Sequence, residues 1–302
     1  MKENHLSVEP DSLRAWLLAA RPKTLTGAAV PVMIGLSLAY VDSWSFSPFR
    51  ALPALLCLLF ALVMQVDANF VNDYFDHIRG NDDETRLGPP RACAQGWIGV
   101  KKMKRAILLT TFLACLIGLP LVYYGGWLMI AVGLACVVFC FLYATTLSYV
   151  GMGDVLVLVF FGIVPVCMTY YVQHHVLSWT VFSLSLACGL IIDTLLLVNN
   201  YRDVDNDLRA GKRTLVVLMG KRRAAQLYWH VGVLACVLDL VFLSRYNLMA
   251  ALLPAVYLGF HRATHRKMMR IGEGRALNGI LAETARNILI YGQLVCSAVL
   301  LS

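Results

Sequence analysis

The chain is 302 residues long, 59% hydrophobic, only 15% charged and +8 in net charge. Soluble domains carry about a quarter charged residues, whereas the 87 residues from Ala106 to Ile192 hold one formal charge, Asp154. No water-facing surface is built that way, so the composition argues against a soluble enzyme and for a protein that lives in a lipid bilayer.

Residues 1–23 carry Asp11, Arg14, Arg21 and Lys23 around a short apolar run that lacks the length and the small-residue cleavage site of a secretory signal. They predict an interfacial segment, with Trp16 at headgroup depth, ahead of a single membrane domain over 24–302. A spanning helix needs about 20 mainly apolar residues. Such stretches follow at 24–41, 51–72, 105–123, 127–147, 152–172, 179–200, 225–243, 247–262 and 280–301. The expected fold is therefore all-α, a polytopic bundle of about nine transmembrane helices. Tyr123-Tyr124-Gly125-Gly126, Gly151-Met152-Gly153 and Gln173-His174-His175 read as hairpin connections. The nine cysteines form no C-x-x-C pair and all but Cys93 fall in apolar stretches, which argues against disulfide or metal roles.

The basic residues are distributed unevenly. With the N-terminus cytoplasmic, Lys and Arg number 4 before the first stretch, 7 over 73–105, 7 over 201–223 and 5 from Arg262, at the end of the eighth stretch, to the start of the ninth. The other side holds only Arg50 and Arg245, and Arg286 lies inside the ninth stretch. By the positive-inside rule the N-terminus is inside and the C-terminus outside. The charge reports topology and not a nucleic-acid partner.

Two of the inside loops open on acids and asparagines. Asn72-Asp73-Tyr74-Phe75-Asp76 closes the second stretch and Asn199-Asn200-Tyr201-Arg202-Asp203 closes the sixth, with Asn, Tyr and Asp in register at an offset of 127. Repeated halves of a membrane fold place their sites at corresponding helix ends, so the two Asp-rich ends are expected to face each other across a pseudosymmetric cavity. Asp73 and Asp76 share one helical face with Asn69 and Asn72; Asp203 and Asp207 share another. Asp82 and Asp83 follow on the first loop.

These clusters offer oxygen ligands and no soft ones. One or two carboxylates per site suit Mg²⁺, which completes its shell with water and phosphate oxygens. Arg79, Arg86, Arg91, Arg202, Arg209, Lys212 and Arg213 stand around them as phosphate donors. Acids, metal and bases at a membrane surface imply a diphosphate, and the location implies that its other half is a polyprenyl tail lying in the bilayer. Ionisation of an allylic diphosphate gives a cation that an electron-rich aromatic ring can capture. Transport is the competing reading, because intramembrane polar residues and repeated halves also mark transporters.

The blocks Ala20-Arg21-Pro22-Lys23-Thr24-Leu25, NDYFDHIRGNDDETRLGPPR (72–91) with Gly96, GMGDVLVLVFFG (151–162), LLLVNNYRDVDNDLRAGKRTLVVLMG (195–220) and LAETARNILIYG (281–292) occur in order along almost the whole chain. In these blocks the chain resembles the UbiA-type intramembrane prenyltransferases, and within them the branch that acts on 1,4-dihydroxy-2-naphthoate. The resemblance implies nine helices and a Mg²⁺-dependent transfer of a polyprenyl group from its diphosphate to that naphthoate, with loss of CO₂, giving demethylmenaquinone. Other aromatic acceptors, such as 4-hydroxybenzoate, belong to the same superfamily. It also implies a bacterial cytoplasmic membrane with the active-site loops facing the cytoplasm.

Position by position, the resemblance makes Asn72, Asp73 and Asp76 the first diphosphate–Mg²⁺ motif and Asn199, Asn200, Asp203 and Asp207 the second. Lys212 and Arg213 would be phosphate-side contacts, and Arg79, beside the first motif, is expected to join them on the outer oxygens. Tyr143, Tyr149 and Asp154 would border the acceptor cleft, with Tyr143, Phe160 or Phe161 facing the cation. The family often ends its first motif on an acid that is Gly80 here, so Asp82 or Asp83 is expected to supply that ligand. Asp67 and Asp193 lie in apolar stretches outside the motif, and Asp193 shares the helix face of Asn200.

Overall fold

The computed structural model describes residues 8–82 and 85–301. Asp83 and Glu84 lie outside the described residues. A bilayer offers no partner for exposed backbone N–H and C=O groups, so long apolar runs must close their hydrogen bonds internally as helices. Among the described residues the nine apolar stretches all become helical, and six of the resulting runs are long and apolar enough to cross a membrane. The chain is a multi-pass, all-helical membrane protein.

A short helix α1 (Leu13–Ala20), capped by the Ser12 side chain, precedes α2 (Leu25–Asp42) and α3 (Ala51–Ile78). Trp16 stacks edge-on against Phe70 of α3 at 5.7 Å, which pins α1 to the bundle. Next come α4 (Val100–Gly118), α5 (Leu121–Gly125), α6 (Leu128–Leu142), α7 (Gly153–Val157) and α8 (Val164–His174). π-helical segments over Tyr143–Leu147 and Leu158–Ile163 continue α6 and join α7 to α8. Such insertions gather at functional sites, and here both border the cavities described below. The chain then forms α9 (Trp179–Arg209), α10 (Leu215–Met219), α11 (Lys221–Leu238), α12 (Leu248–Leu252), α13 (Tyr257–Ile271) and α14 (Leu277–Leu300).

The eighth stretch differs from its expected bounds. A 3-10 turn at Leu253–Val256, containing Pro254, breaks it, and the helix that follows runs on to Ile271. The extension carries Arg266, Lys267 and Arg270, charges that set it apart from an apolar stretch.

Helix α9 is the centre. Its Leu184, Ile191 and Cys188 pack with Val30, Ile34 and Leu38 of α2, Val166 of α8 and Tyr291 of α14. Close approach to α8's preceding π segment needs small residues: a Cβ on Gly162 would stand 2.6 Å from the Gly189 Cα. At the end of the bundle opposite the acid clusters, Arg50 donates to the carbonyls of Val172 and Gln173, and Arg245 pairs with buried Asp42. Both basic residues assigned to that side are thus structural ties.

Candidate active site

The ends of α3 and α9 meet at a polar cavity of about 160 Å³. Asn72 and Asp76 come from α3, and Asn199, Asn200, Asp203 and Asp207 come from α9. Tyr143 and Asp154 complete the floor. Below it lies an apolar cavity of about 540 Å³, bounded by α2, α3, α6 and α8 and lined by Pro31, Phe60, Met64, Phe160, Phe161 and Met168 among others. Asn72 and Tyr143 line both spaces and mark their junction.

Four cations line the polar cavity: Arg21, Arg86, Arg91 and Lys212. Arg91 Nη2 donates to Asp76 Oδ2 at 2.6 Å, and Lys212 Nζ stands 3.8 Å from Asp76 Oδ1. Arg202 holds Asp203 through Nη2–Oδ2 at 2.5 Å and Nε–Oδ1 at 2.8 Å, and also donates to Asn199 and to Asn278 of α14. Because Arg202 is 2% exposed and fully bonded, it is a clamp and not a free phosphate donor.

Several expected contacts are made differently. Asp73 is 1% exposed and accepts the backbone N–H groups of Ala92 (2.9 Å) and Cys93 (3.0 Å), so it anchors the loop after α3 and does not line the cavity. Asp82 accepts Arg86 Nη1 at 2.6 Å and lies 3.6 Å from Arg91 Nε, buttressing two cavity arginines from behind. Burial pushes its carboxyl above the ordinary range, against the pull of Arg91 and Arg86. Burial, then the adjacent Arg91, draws the Arg86 guanidinium below its usual value.

Arg79 turns from the cavity to donate to the carbonyls of Ala144 and Thr145, and lies over the Tyr149 ring at 4.5 Å. Tyr149 is itself occupied: its hydroxyl takes Asn81 Nδ2 at 2.5 Å, and Lys212 Nζ sits 5.1 Å from the ring centre. It positions Asn81 and Lys212 and does not line either cavity. Arg213 is exposed and, among the described residues, gives only its backbone N–H, to the Tyr149 carbonyl. Asp67 faces α4, where Thr110 and Thr111 hydroxyls donate to it.

Residues that motif reasoning passed over include Arg21, Asn81, Ser148, Asn206 and Thr214. Arg21 had a local signal: it closes α1 directly before Pro22. Its backbone sits at φ 52°, a left-handed conformation that costs a non-glycine residue roughly 1–2 kcal/mol. That turn aims the side chain into the cavity.

The donors fit a hard divalent cation. Asp76, Asp203, Asp207, Asn72, Asn199 and Asn200 offer oxygens only, with no sulfur or imidazole among the cavity residues. Among the described residues no three acid, histidine or cysteine side chains converge into a ready-made cluster. The site therefore suits an ion whose shell is completed by water and by a substrate's own oxygens.

Residues 28–276 match the model of the UbiA prenyltransferase family. A relative in Escherichia coli (strain K12), 1,4-dihydroxy-2-naphthoate octaprenyltransferase, is 37% identical over 78% of this chain and 77% of its own. The Mycobacterium tuberculosis protein of the same name is 32% identical over 95% of this chain and 97% of its own. Among solved structures, a UbiA homolog from Aeropyrum pernix K1 superposes with TM-score 0.67 at 15% identity, over 87% of this chain and 96% of that one. A UbiA homolog from Archaeoglobus fulgidus bound to DMAPP and Mg²⁺ gives TM-score 0.62 at 13% identity, over 93% of this chain and 98% of that one.

Proposed function

The chain belongs to the UbiA prenyltransferase family, and on that premise we propose that it transfers a polyprenyl group from a polyprenyl diphosphate to 1,4-dihydroxy-2-naphthoate, releasing CO₂ and pyrophosphate and giving demethylmenaquinol, the reduced form of demethylmenaquinone. The observation that carries the reading is the pair of cavities joined at Asn72 and Tyr143, one polar and cationic, the other larger and apolar. That division matches a donor with a charged head and a hydrocarbon tail. The names of the relatives support the naphthoate as acceptor.

Asp76, Asp203 and Asp207, with Asn72, Asn199 and Asn200, would hold Mg²⁺, as the metal and diphosphate of the Archaeoglobus structure support. When bound, the metal would neutralise charge on the leaving diphosphate. The chain's own groups do the rest. Arg21, Arg86, Arg91 and Lys212 bind the outer oxygens. Asn72 and Tyr143 set the allylic carbon at the junction, and the Tyr143 ring faces the developing cation. The apolar wall behind them excludes water that would otherwise capture that cation. Asp154 borders the acceptor. In this reading the mouth and the N-terminus face the cytoplasm across a bacterial inner membrane, which the basic loops support, and residues 1–23 form an interfacial segment ahead of one catalytic domain over 24–302.

Membranes carrying the protein, supplied with 1,4-dihydroxy-2-naphthoate, a polyprenyl diphosphate and Mg²⁺, should yield the decarboxylated prenyl naphthoquinol and pyrophosphate in equal amounts, and neither after chelation. Prenylation of 4-hydroxybenzoate in its place would overturn the acceptor.

A further inference from the structure

Among the described residues, Asp154 and Asp193 inside the bundle have neither a cation nor a hydroxyl donor. Asp154 opens α7 and lines the polar cavity beside Tyr143. Asp193 lies on α9 and is 6% exposed. Their carboxyls are within hydrogen-bonding reach of each other, while Oδ1 of each is buried with no donor. Neither joins an ion pair among the described residues. Their neighbours are better provided: Asp76 has Arg91 and Lys212, Asp203 has Arg202, and Asp67 has two threonine hydroxyls. Tyr143 faces both carboxyls, and Asp76 and Asp207 share the cavity with Lys212.

Structural duty does not explain this arrangement. Buried carboxyl oxygens left without a donor carry a desolvation cost that apolar side chains of similar size would not. Carboxylates in contact cannot both stay charged, so the pair holds one proton and has capacity for another. It does so at the edge of the space where the acceptor would meet the allylic carbon.

We propose, resting on the function proposed above, that Asp154 accepts the ring-hydroxyl proton of the aromatic acceptor and that Asp193 is its positioning partner. The O–H bond breaks and its proton passes to Asp154. The electron pair left on oxygen is delivered through the ring to C1 of the prenyl group, forming the C–C bond, as the C1–O bond breaks and its pair leaves on diphosphate. Loss of CO₂ returns electrons to the ring oxygen, which takes its proton back from Asp154. The proton is borrowed and restored, so no external base is consumed.

The test uses the full-length protein in nanodiscs. Wild-type protein is assayed first, and failure to prenylate any aromatic acceptor would overturn both this assignment and the function it rests on. With wild type active, Asp154→Asn should lower kcat by about 100-fold or more, the scale of general acid–base catalysis, with KM for polyprenyl diphosphate within about threefold. Its residual rate should climb with pH as the hydroxyl ionises unaided, and Asp154→Glu should recover part of the loss. Asp193→Asn should shift the acid limb of the kcat/KM profile, because the group hydrogen-bonded to the Asp154 carboxyl changes from an acid to an amide. Thermal unfolding and diphosphate binding check that the variants fold. Full activity in Asp154→Asn, equal loss of diphosphate binding and turnover, or an unmoved profile in Asp193→Asn would each overturn the assignment.

Discussion

At the end of α9, Asp203 is neutralised from within its own helix, by Arg202 next to it, and Arg202 in turn holds Asn199 one turn earlier. At the end of α3 the residue in the place of Arg202 is Phe75, so Asp76 takes its cation from Arg91, fifteen positions along the chain, and a second from Lys212 of the opposite half. The ends also stop differently. Helix α3 closes at Ile78 and Gly80 turns out at φ 71°, whereas α9 runs through Asp207 to Arg209 before Gly211 makes the same turn. The acid missing at Gly80 is missing because the helix that would carry it has ended. The two matching helix ends share their oxygen ligands, but only the α3 end depends on a long loop for its counter-charge.

The largest expected effect makes the two copies equivalent. Asp76→Ala and Asp203→Ala should each reduce Mg²⁺-dependent transfer at least about a thousandfold in membranes containing normal amounts of protein, since each removes an oxygen from the diphosphate mouth. Unequal losses, with one variant near wild type, would place the metal on one helix only.

Arg91→Ala separates them. It leaves Asp76 and Asp82 without their shared partner, in a pair only 8% and 14% exposed on the Arg91 and Asp76 side chains. Loss of one member of such a buried pair costs roughly 3 kcal/mol, readable as a lower unfolding temperature together with weaker diphosphate binding. Asp73→Asn should be milder: it keeps one oxygen for one of the two backbone N–H groups and turns an amide NH2 to the other, a loss of about 1–3 kcal/mol, with the Mg²⁺ dependence intact. Asp73→Asn matching Asp76→Ala in activity would show that Asp73 reaches the metal after all. Smallest is Arg213→Ala, where the exposed side chain should change turnover less than about twofold, within the range of surface substitutions.

Much of the fold was legible because lipid imposes a simple requirement: apolar runs of spanning length become helices, and the nine runs did. The mouth of the site was legible because acids and asparagines at apolar helix ends are costly without a polar space to line. Sequence spacing could not say which way each neighbour turned. Asp73 and Asp76 are three apart and some 60° around the helix, enough to send one to a loop and the other into the cavity. Arg79 and Arg213 read as phosphate donors by proximity to acids, yet backbone carbonyls claimed one and solvent the other. Arg86 and Arg91 were grouped with them, and only the path of the 79–99 loop sets those two apart as cavity residues. The Asp154–Asp193 contact joins residues 39 positions apart on different helices, beyond any local pattern.

The junction at Asn72 and Tyr143 behaves as a phase boundary inside the protein. For the proposed donor, the head is drawn to one side of that boundary and the tail to the other, as a surfactant is oriented at an oil–water surface. An amphiphile can then dock only one way round, and lengthening its tail by further isoprene units moves the far end alone. The bond to be broken keeps its register, so donors of different length would meet the same chemistry and differ in how much of the oily space they fill.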